Sequence, residues 1–370
     1  MALDPRLAGA VLTVDLAAIA ANYRLLAARV APAECAAVVK ADAYGLGVDR
    51  VAPALAAAGA RTFFVAHLCE ALALRERLPG PAIGVLNGLT EGGEDLYVAH
   101  RLIPVLNHLG EIARWAAQAR RCDAALPAIV HVDTGMNRLG LGPDELDRLA
   151  AEPDRLDGLS VRAIMSHLAC ADEAHHPKTP EQRSAFAAAL ARLPPAPASL
   201  ANSSGIFRGR AYHFDLVRPG LALYGANPTP DTANPMQPTI RVSSGVIQIR
   251  HVDSPMTVGY GATHRIRGKS KIATLPVGYA DGYHRCLSGR GRVWIAGCAA
   301  PVVGRISMDL MTVDVTHLPD GAVAPGTPAT ILGGPGCSVD EVAAAADTIP
   351  YEILTSLGRR YARRYVGDGG

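Results

Sequence analysis

The sequence predicts an α/β chain, a (β/α)8 barrel of the TIM type followed by a mainly β C-terminal domain. Three observations point to it. Eight short apolar runs alternate with helix-like segments over the first 220 residues. Nearly every run stops at a polar residue. After residue 227 the helical segments give way to alternating runs separated by glycine and proline.

The runs cover 35–41, 62–67, 82–87, 102–107, 128–133, 161–167, 199–202 and 213–217. They are nearly continuous apolar, as parallel strands covered on both faces are. Helix-like stretches lie between them at 51–58, 70–77, 111–120, 145–151 and 181–193. Such units in a row give a barrel, expected over 10–230, with a doubly wound sheet as the alternative. No Gly-x-Gly-x-x-Gly follows the first run, which counts against a dinucleotide fold. The runs end at Lys40, His67, Asn87, Asn107, Asp133, His167 and Asn202. In a barrel, these ends and the loops after them form the active site. Residues 227–238 hold four prolines and read as a linker. Runs at 241–249, 271–277, 292–295, 301–306, 311–315 and 329–332 then predict an antiparallel β domain over 239–370. One short helix is expected in it, at 340–346. Residues 1–14 are expected to pair with that domain through a strand at 10–14.

The 370 residues are 49% hydrophobic, enough for a large core. Lys+Arg is 36 against Asp+Glu 34, a net charge of +2. That balance argues against a nucleic-acid or membrane partner, and the arginines of 359–364 read as a solvated face. Seven cysteines, an odd number without Cys-x-x-Cys spacing, fit reduced cytosolic thiols. No disulfide frame and no metal is expected. Residues 1–6 show no signal-peptide pattern, and no charge-free apolar run approaches the roughly 20 residues of a membrane helix. A cytoplasmic protein is expected. Only Lys40, Lys178, Lys269 and Lys271 are lysines. Lys40 ends a buried run, where desolvation favours the neutral, nucleophilic amine that a Schiff-base lysine requires. A lysine reaching from a strand end into solvent is the other reading of the same position.

The stretch Val39-Lys40-Ala41-Asp42-Ala43-Tyr44-Gly45-Leu46-Gly47 resembles the pyridoxal-phosphate lysine signature of bacterial alanine racemases. Further matches follow in order. They include Asp133-Thr134-Gly135-Met136-Asn137-Arg138, Ser166-His167-Leu168-Ala169, Asn202-Ser203-Ser204-Gly205 and Val217-Arg218-Pro219-Gly220-Leu221. In the last third they are Gly259-Tyr260-Gly261, Gly278-Tyr279-Ala280-Asp281-Gly282, Arg305-Ile306-Ser307-Met308-Asp309 and Tyr351-Glu352. The ordered set covers essentially the whole chain.

The resemblance implies interconversion of L- and D-alanine through a pyridoxal-phosphate aldimine, on a barrel followed by a β domain. It implies that Lys40 carries the cofactor and then acts as one base. Tyr260, supplied by the second subunit of a homodimer, is the base on the opposite face. Tyrosine ordinarily titrates at about 10, so Tyr260 must be made more acidic locally. Arg218 is expected to face the pyridine nitrogen, with His167 bonded to it. A guanidinium yields no proton, so that nitrogen stays unprotonated. Ser203, Gly220 and Leu221 match the phosphate site, with Tyr44 and Tyr351 as phenolic donors and Asn202 beside it. Arg138 matches the contact to the cofactor's phenolic oxygen and the substrate carboxylate. The Met308 N–H is expected to meet that carboxylate from the neighbouring subunit, with Asp309 beside it and Tyr279 at the entrance.

Two positions depart from the family pattern. His131 stands where many members have a carbamylated lysine that orients the arginine matched by Arg138. A neutral His131 is expected there, or an anion or water standing in. Ser307 stands where cysteine is frequent, with little expected consequence. Competing readings are a racemase of serine or of several amino acids, a non-catalytic pyridoxal-phosphate carrier, and a decarboxylase on a similar barrel. The β domain and Tyr260 count against a carrier, and the Tyr260 and Met308-Asp309 stretches against a decarboxylase.

Overall fold

A computed structural model describes Asp4 and residues 6–367. The outer parts of the expected spans, residues 1–3, 5 and 368–370, lie outside the described residues.

The first strand, β1 (Ala10–Asp15), runs into a 15-residue helix, Leu16–Val30. Asp15 ends the strand and starts the helix, its Oδ1 accepting the Ala18 N–H at 2.9 Å. Leu16, Ile19, Tyr23, Leu26 and Val30 are buried on this helix. Their spacing of three and four places them on one face.

The barrel strands follow. They are β2 (Glu34–Cys35), continued by β3 (Ala37–Val38), then β4 (Thr62–Val65), β5 (Ala82–Val85), β6 (Ile103–Leu106), β7 (Leu126–His131), β8 (Leu159–Met165), β9 (Ala198–Ser199) and β10 (Leu216–Val217). Neighbours from β3 to β9 pair in parallel and in chain order. β10 closes the ring. It pairs in parallel with β2. On its other side, the Asp215 and Arg218 N–H groups donate to the Ala198 and Ala201 carbonyls at 3.0 and 2.9 Å. The helix Leu16–Val30 covers this seam, touching the helix Val48–Ala57 and the 3-10 turn Leu221–Tyr224.

Several ends differ from the sequence reading. The first barrel strand stops at Val38, so Lys40 lies beyond it. The last two strands shrink to two residues each: after β9 the chain enters the helix Ser203–Phe207, which Asn202 caps, and it reaches β10 from a 3-10 turn at Arg210–Tyr212. Two short helices, Val339–Ala345 and Pro350–Thr355, stand where one was expected. Pro350 opens the second, a position where its missing N–H has no intrahelical acceptor to lose.

The second sheet has nine strands, with β1 between Ile240–Gly245 and Ala362–Val366. Apart from the parallel pair of β1 with Ala362–Val366, its pairs are antiparallel. The proline-rich connection is pinned rather than free. Asn22 donates to the Gln237 carbonyl at 2.9 Å and accepts the Gln237 N–H at 2.8 Å, and Asp340 accepts the Asn227 N–H. One continuous apolar core runs through barrel and sheet. Leu12, fully buried on β1, belongs to it. Leu12→Ala is therefore expected to lower stability by about 2–5 kcal/mol, measured as the shift in the denaturant unfolding midpoint.

Candidate active site

The site begins with the backbone after β3. Ala41, Asp42, Ala43 and Tyr44 hold φ between 53 and 56° and ψ between 38 and 52°. This is one turn of left-handed helix made of non-glycine residues. Such a conformation costs roughly 1–2 kcal/mol per residue, so bonds must hold it. The Ala43 N–H donates to the Val39 carbonyl and the Gly47 N–H to the Asp42 carbonyl, each at 2.9 Å. Asp42 Oδ1 accepts the Val48 N–H at 2.8 Å, and Glu70 Oε1 accepts the Ala41 N–H at 2.6 Å.

Lys40 and Tyr44, at the two ends of this turn, line one cavity of about 290 Å³ at the barrel mouth. Arg138, His167, Asn202, Ser203, Arg218, Gly220, Leu221 and Tyr351 line it too, as does His131. All the residues expected around the cofactor thus meet in one place. Lys40, Arg138 and Arg218 are cations, and no Asp or Glu lines the cavity among the described residues. The cavity is built for an anion. The Lys40 amine is held below its ordinary range by burial and by Arg138, with Glu70 opposing.

Arg218 is buried at the seam after β10. It donates to Ser199 Oγ at 2.5 Å, to the Ser166 carbonyl at 2.7 Å and to His167 Nδ1 at 3.3 Å. Burial lowers it to about 10, which leaves it charged at neutral pH. Its charge adds to burial in holding His167 well below the ordinary histidine value. His167 is thus a neutral ring, accepting at Nδ1. Arg138 is carried by the loop after β7, which Asp133 folds. The Gly135, Met136 and Asn137 N–H groups all donate to its carboxylate, at 2.8–3.2 Å.

The opposite wall is small and polar. Asn202 Oδ1 accepts the Gly205 N–H at 2.9 Å and caps the short helix Ser203–Phe207. Ser203 Oγ accepts N–H bonds from Gly220 at 3.0 Å and Ala222 at 3.1 Å. Both its lone pairs are taken, so its own proton is left to donate. Leu221 opens the 3-10 turn, where its N–H has no intrahelical acceptor. Tyr44 lies against Tyr224 and Tyr351, at centroid distances of 4.6 and 5.8 Å. Burial pushes Tyr44 up and Tyr351 to about 12, which keeps both phenols protonated donors. A Cβ at position 220 would overlap the Tyr44 hydroxyl. Glycine there lets backbone and phenol share one cradle.

Tyr260, Tyr279, Met308 and Asp309 do not line this cavity. They lie exposed on three loops of the C-terminal part, after Val258, Leu275 and Val303; Tyr260 is 71% exposed and Met308 53%. The Tyr279 and Ala280 N–H groups donate to the Ser307 and Met308 carbonyls. Arg360 bridges Asp281 and Asp309, at 2.8 and 2.6 Å.

Some contributors were not read from the sequence. Ser199 and Glu70 carried no motif signal, and Ser166 stood in a quoted stretch with no role assigned to it. Asn107 was noted only as a strand end, yet its Oδ1 accepts from His131 Nδ1 at 2.7 Å. Its amide donates to the Val105 carbonyl at 2.9 Å, which fixes the carbonyl end toward His131. His131 therefore carries its proton at Nδ1 and offers Nε2 as an acceptor. The trio Cys170, Glu173 and His176 has possible metal-ligand atoms within 4.8 Å. There His176 Nδ1 already accepts the Lys178 N–H at 3.1 Å.

Burial, then Arg218, lowers His131 to about 4 from 6.5, with Asp133 opposing. An unfolded chain takes up a proton here as pH falls through 6.5, whereas the folded chain waits until about 4. Stability contributed by His131 is complete above 6.5 and is lost between those values, up to about 3 kcal/mol. His131→Gln is expected to flatten that part of the stability–pH curve, measured by denaturant unfolding at pH steps from 7 to 4.

The chain is also similar to known proteins along nearly its whole length. Residues 14–228 match the family described as alanine racemase, N-terminal domain, and residues 239–365 match alanine racemase, C-terminal domain. An alanine racemase of Rhodospirillum rubrum is 53% identical over 362 residues, covering 97% of this chain and 96% of its own. The crystal structure of alanine racemase from Bartonella henselae with covalently bound pyridoxal phosphate superposes with a TM-score of 0.93 at 44% identity. It covers 96% of this chain and 99% of its own. The biosynthetic alanine racemase of Pseudomonas aeruginosa gives a TM-score of 0.91 at 36% identity, covering 97% and 99%. The chain belongs to the alanine racemase family.

Proposed function

We propose that this chain interconverts L- and D-alanine with pyridoxal phosphate, as a cytoplasmic homodimer. Its product would supply peptidoglycan synthesis, or its reaction would open D-alanine degradation. Residues 10–230 form the cofactor-binding part and 239–370 the part that completes the neighbour's site. One observation carries the reading. A lysine with a depressed amine stands in a cation-lined cavity beside a wall of small polar donors. No helix of the described residues is long and apolar enough to cross a membrane.

The residues fit the cofactor. Ser203 and the backbone at Gly220 and Leu221, with Tyr44 and Tyr351, would hold its phosphate, and Asn202 adjoins them. Arg218, oriented by Ser166, Ser199 and His167, would face the ring nitrogen. Arg138 would reach the phenolic oxygen and the substrate carboxylate. Bound pyridoxal phosphate supplies an electron-withdrawing system that accepts charge from the substrate's Cα.

The chain's own groups then manage the protons. Lys40 Nζ, whose charged form burial and Arg138 disfavour, takes or returns the Cα proton on one face. Tyr260 Oη of the partner subunit does so on the other. Exposure of Tyr260 and Met308 outside the chain's own cavity supports a site shared between two copies. Arg218 remains charged and donates hydrogen bonds without releasing a proton. The Asn107–His131 pair presents a neutral acceptor near Arg138.

Chiral chromatography of L- and D-alanine incubated with the holoenzyme, alongside serine and other amino acids, tests the reading. Exchange is expected with alanine, and none with any amino acid would sink it. Tyr260→Phe and Lys40→Ala are each expected to lower kcat by about 10²-fold or more. Refolding the two inactive variants together is expected to restore part of the activity; a tyrosine acting within its own chain would restore none. Gly220→Ala, by displacing Tyr44, is expected to weaken cofactor retention by about tenfold, since one tenfold step is about 1.4 kcal/mol. Cofactor absorbance after dialysis reads it. Arg218→Glu is expected to slow racemisation and raise half-transamination, followed as pyridoxamine phosphate released.

A further inference from the structure

We propose that Glu70 is the positioning residue of Lys40. It lies on the next barrel unit, in the first turn of the helix Leu68–Arg77 after β4. Its carboxylate accepts three backbone N–H bonds. Oε1 takes that of Ala41 at 2.6 Å, and Oε2 those of Ala66 at 2.7 Å and His67 at 3.0 Å. One side chain thus ties the end of the second barrel strand to the turn that follows the first.

The Ala41 bond matters most. Ala41 N–H and the Lys40 carbonyl share one rigid peptide plane. Fixing the N–H fixes ψ of Lys40, and with it the line along which the lysine side chain leaves the backbone. The next four residues are left-handed without being glycine, so the turn does not hold this direction by local preference. Glu70 supplies the restraint from 29 residues away. It also sets a negative charge within reach of the Lys40 amine, against the charge of Arg138. Glu70 does not line the cavity; it acts through Lys40.

The inference rests on the racemase reading, and its test separates the two. Glu70→Gln keeps the size but turns an amide N–H₂ toward N–H donors, while Glu70→Ala removes every bond. In the holoenzyme, kcat is expected to fall about tenfold for the first and about a hundredfold for the second. Two further readouts separate positioning from general loosening. Amide hydrogen exchange at Ala41–Tyr44 is expected to rise at least tenfold, with little change in the second sheet. The Cα-deuterium isotope effect is expected to rise with one alanine enantiomer only, because Lys40 serves one face. Folded variants that keep the parent's exchange and isotope effects would overturn the proposal, as would equal changes with both enantiomers. If either variant fails to fold, Glu70→Asp, one methylene shorter, is expected to show the same one-sided isotope effect at smaller size. A parent enzyme that exchanges no enantiomer would refute the racemase reading, while exchange at Ala41 still tests the clamp.

Discussion

Arg218 places a guanidinium inside the protein at the seam where the barrel closes. A buried charge is expensive unless its donors are met. Here the strand ends of β8 and β9 supply the acceptors, through Ser166, His167 and Ser199. Ser199 in turn donates to the Leu216 carbonyl on β10 at 2.7 Å. The bonds that satisfy the arginine therefore also join three consecutive strands. Closure of the ring and placement of the charge are one arrangement, and the cavity exists because both hold.

From that charge the rest of the site's electrostatics follows. Arg218 acts on His131 and His167 in the same direction as burial, so both rings are neutral. Arg138 and burial act on Lys40 likewise. The cavity combines fixed positive charge with neutral acceptors and protonated phenols. His131 offers a lone pair rather than a charge, kept in place by Asn107. Two carboxylates beside the site are turned to structural work. Glu70 and Asp133 accept backbone N–H groups that shape the loops bearing Lys40 and Arg138. Negative charge thus stays close enough to order the site without competing for its ligand.

The proposed division between chain and dimer has the same logic. Tyr260 stands in the short hairpin between Val258 and His264, the Met308 carbonyl accepts the Ala280 N–H, and both side chains are exposed in the single chain. In the proposed reaction, the base on the face opposite Lys40 is set apart from the cavity that Lys40 lines. Residues from another copy would meet that geometric need.

Much of this was legible in the sequence. The alternation of apolar runs and helices gave the barrel, because burial on both faces of a strand leaves a local pattern. Lys40, Arg138, Ser203 and Arg218 were legible as motifs. The sequence alone did not reveal that Lys40 stands past its strand at the head of a left-handed turn. No residue from Ala41 to Tyr44 is a glycine, so nothing local announces that conformation. It is held by Glu70 across 29 residues. Asn107 reaches His131 across 24, and Arg218 reaches Ser166 across 52. Periodicity belongs to a single segment and survives in the sequence. Which strand ends meet, and which polar groups satisfy one another, is set by ring closure, and only the tertiary structure decides it.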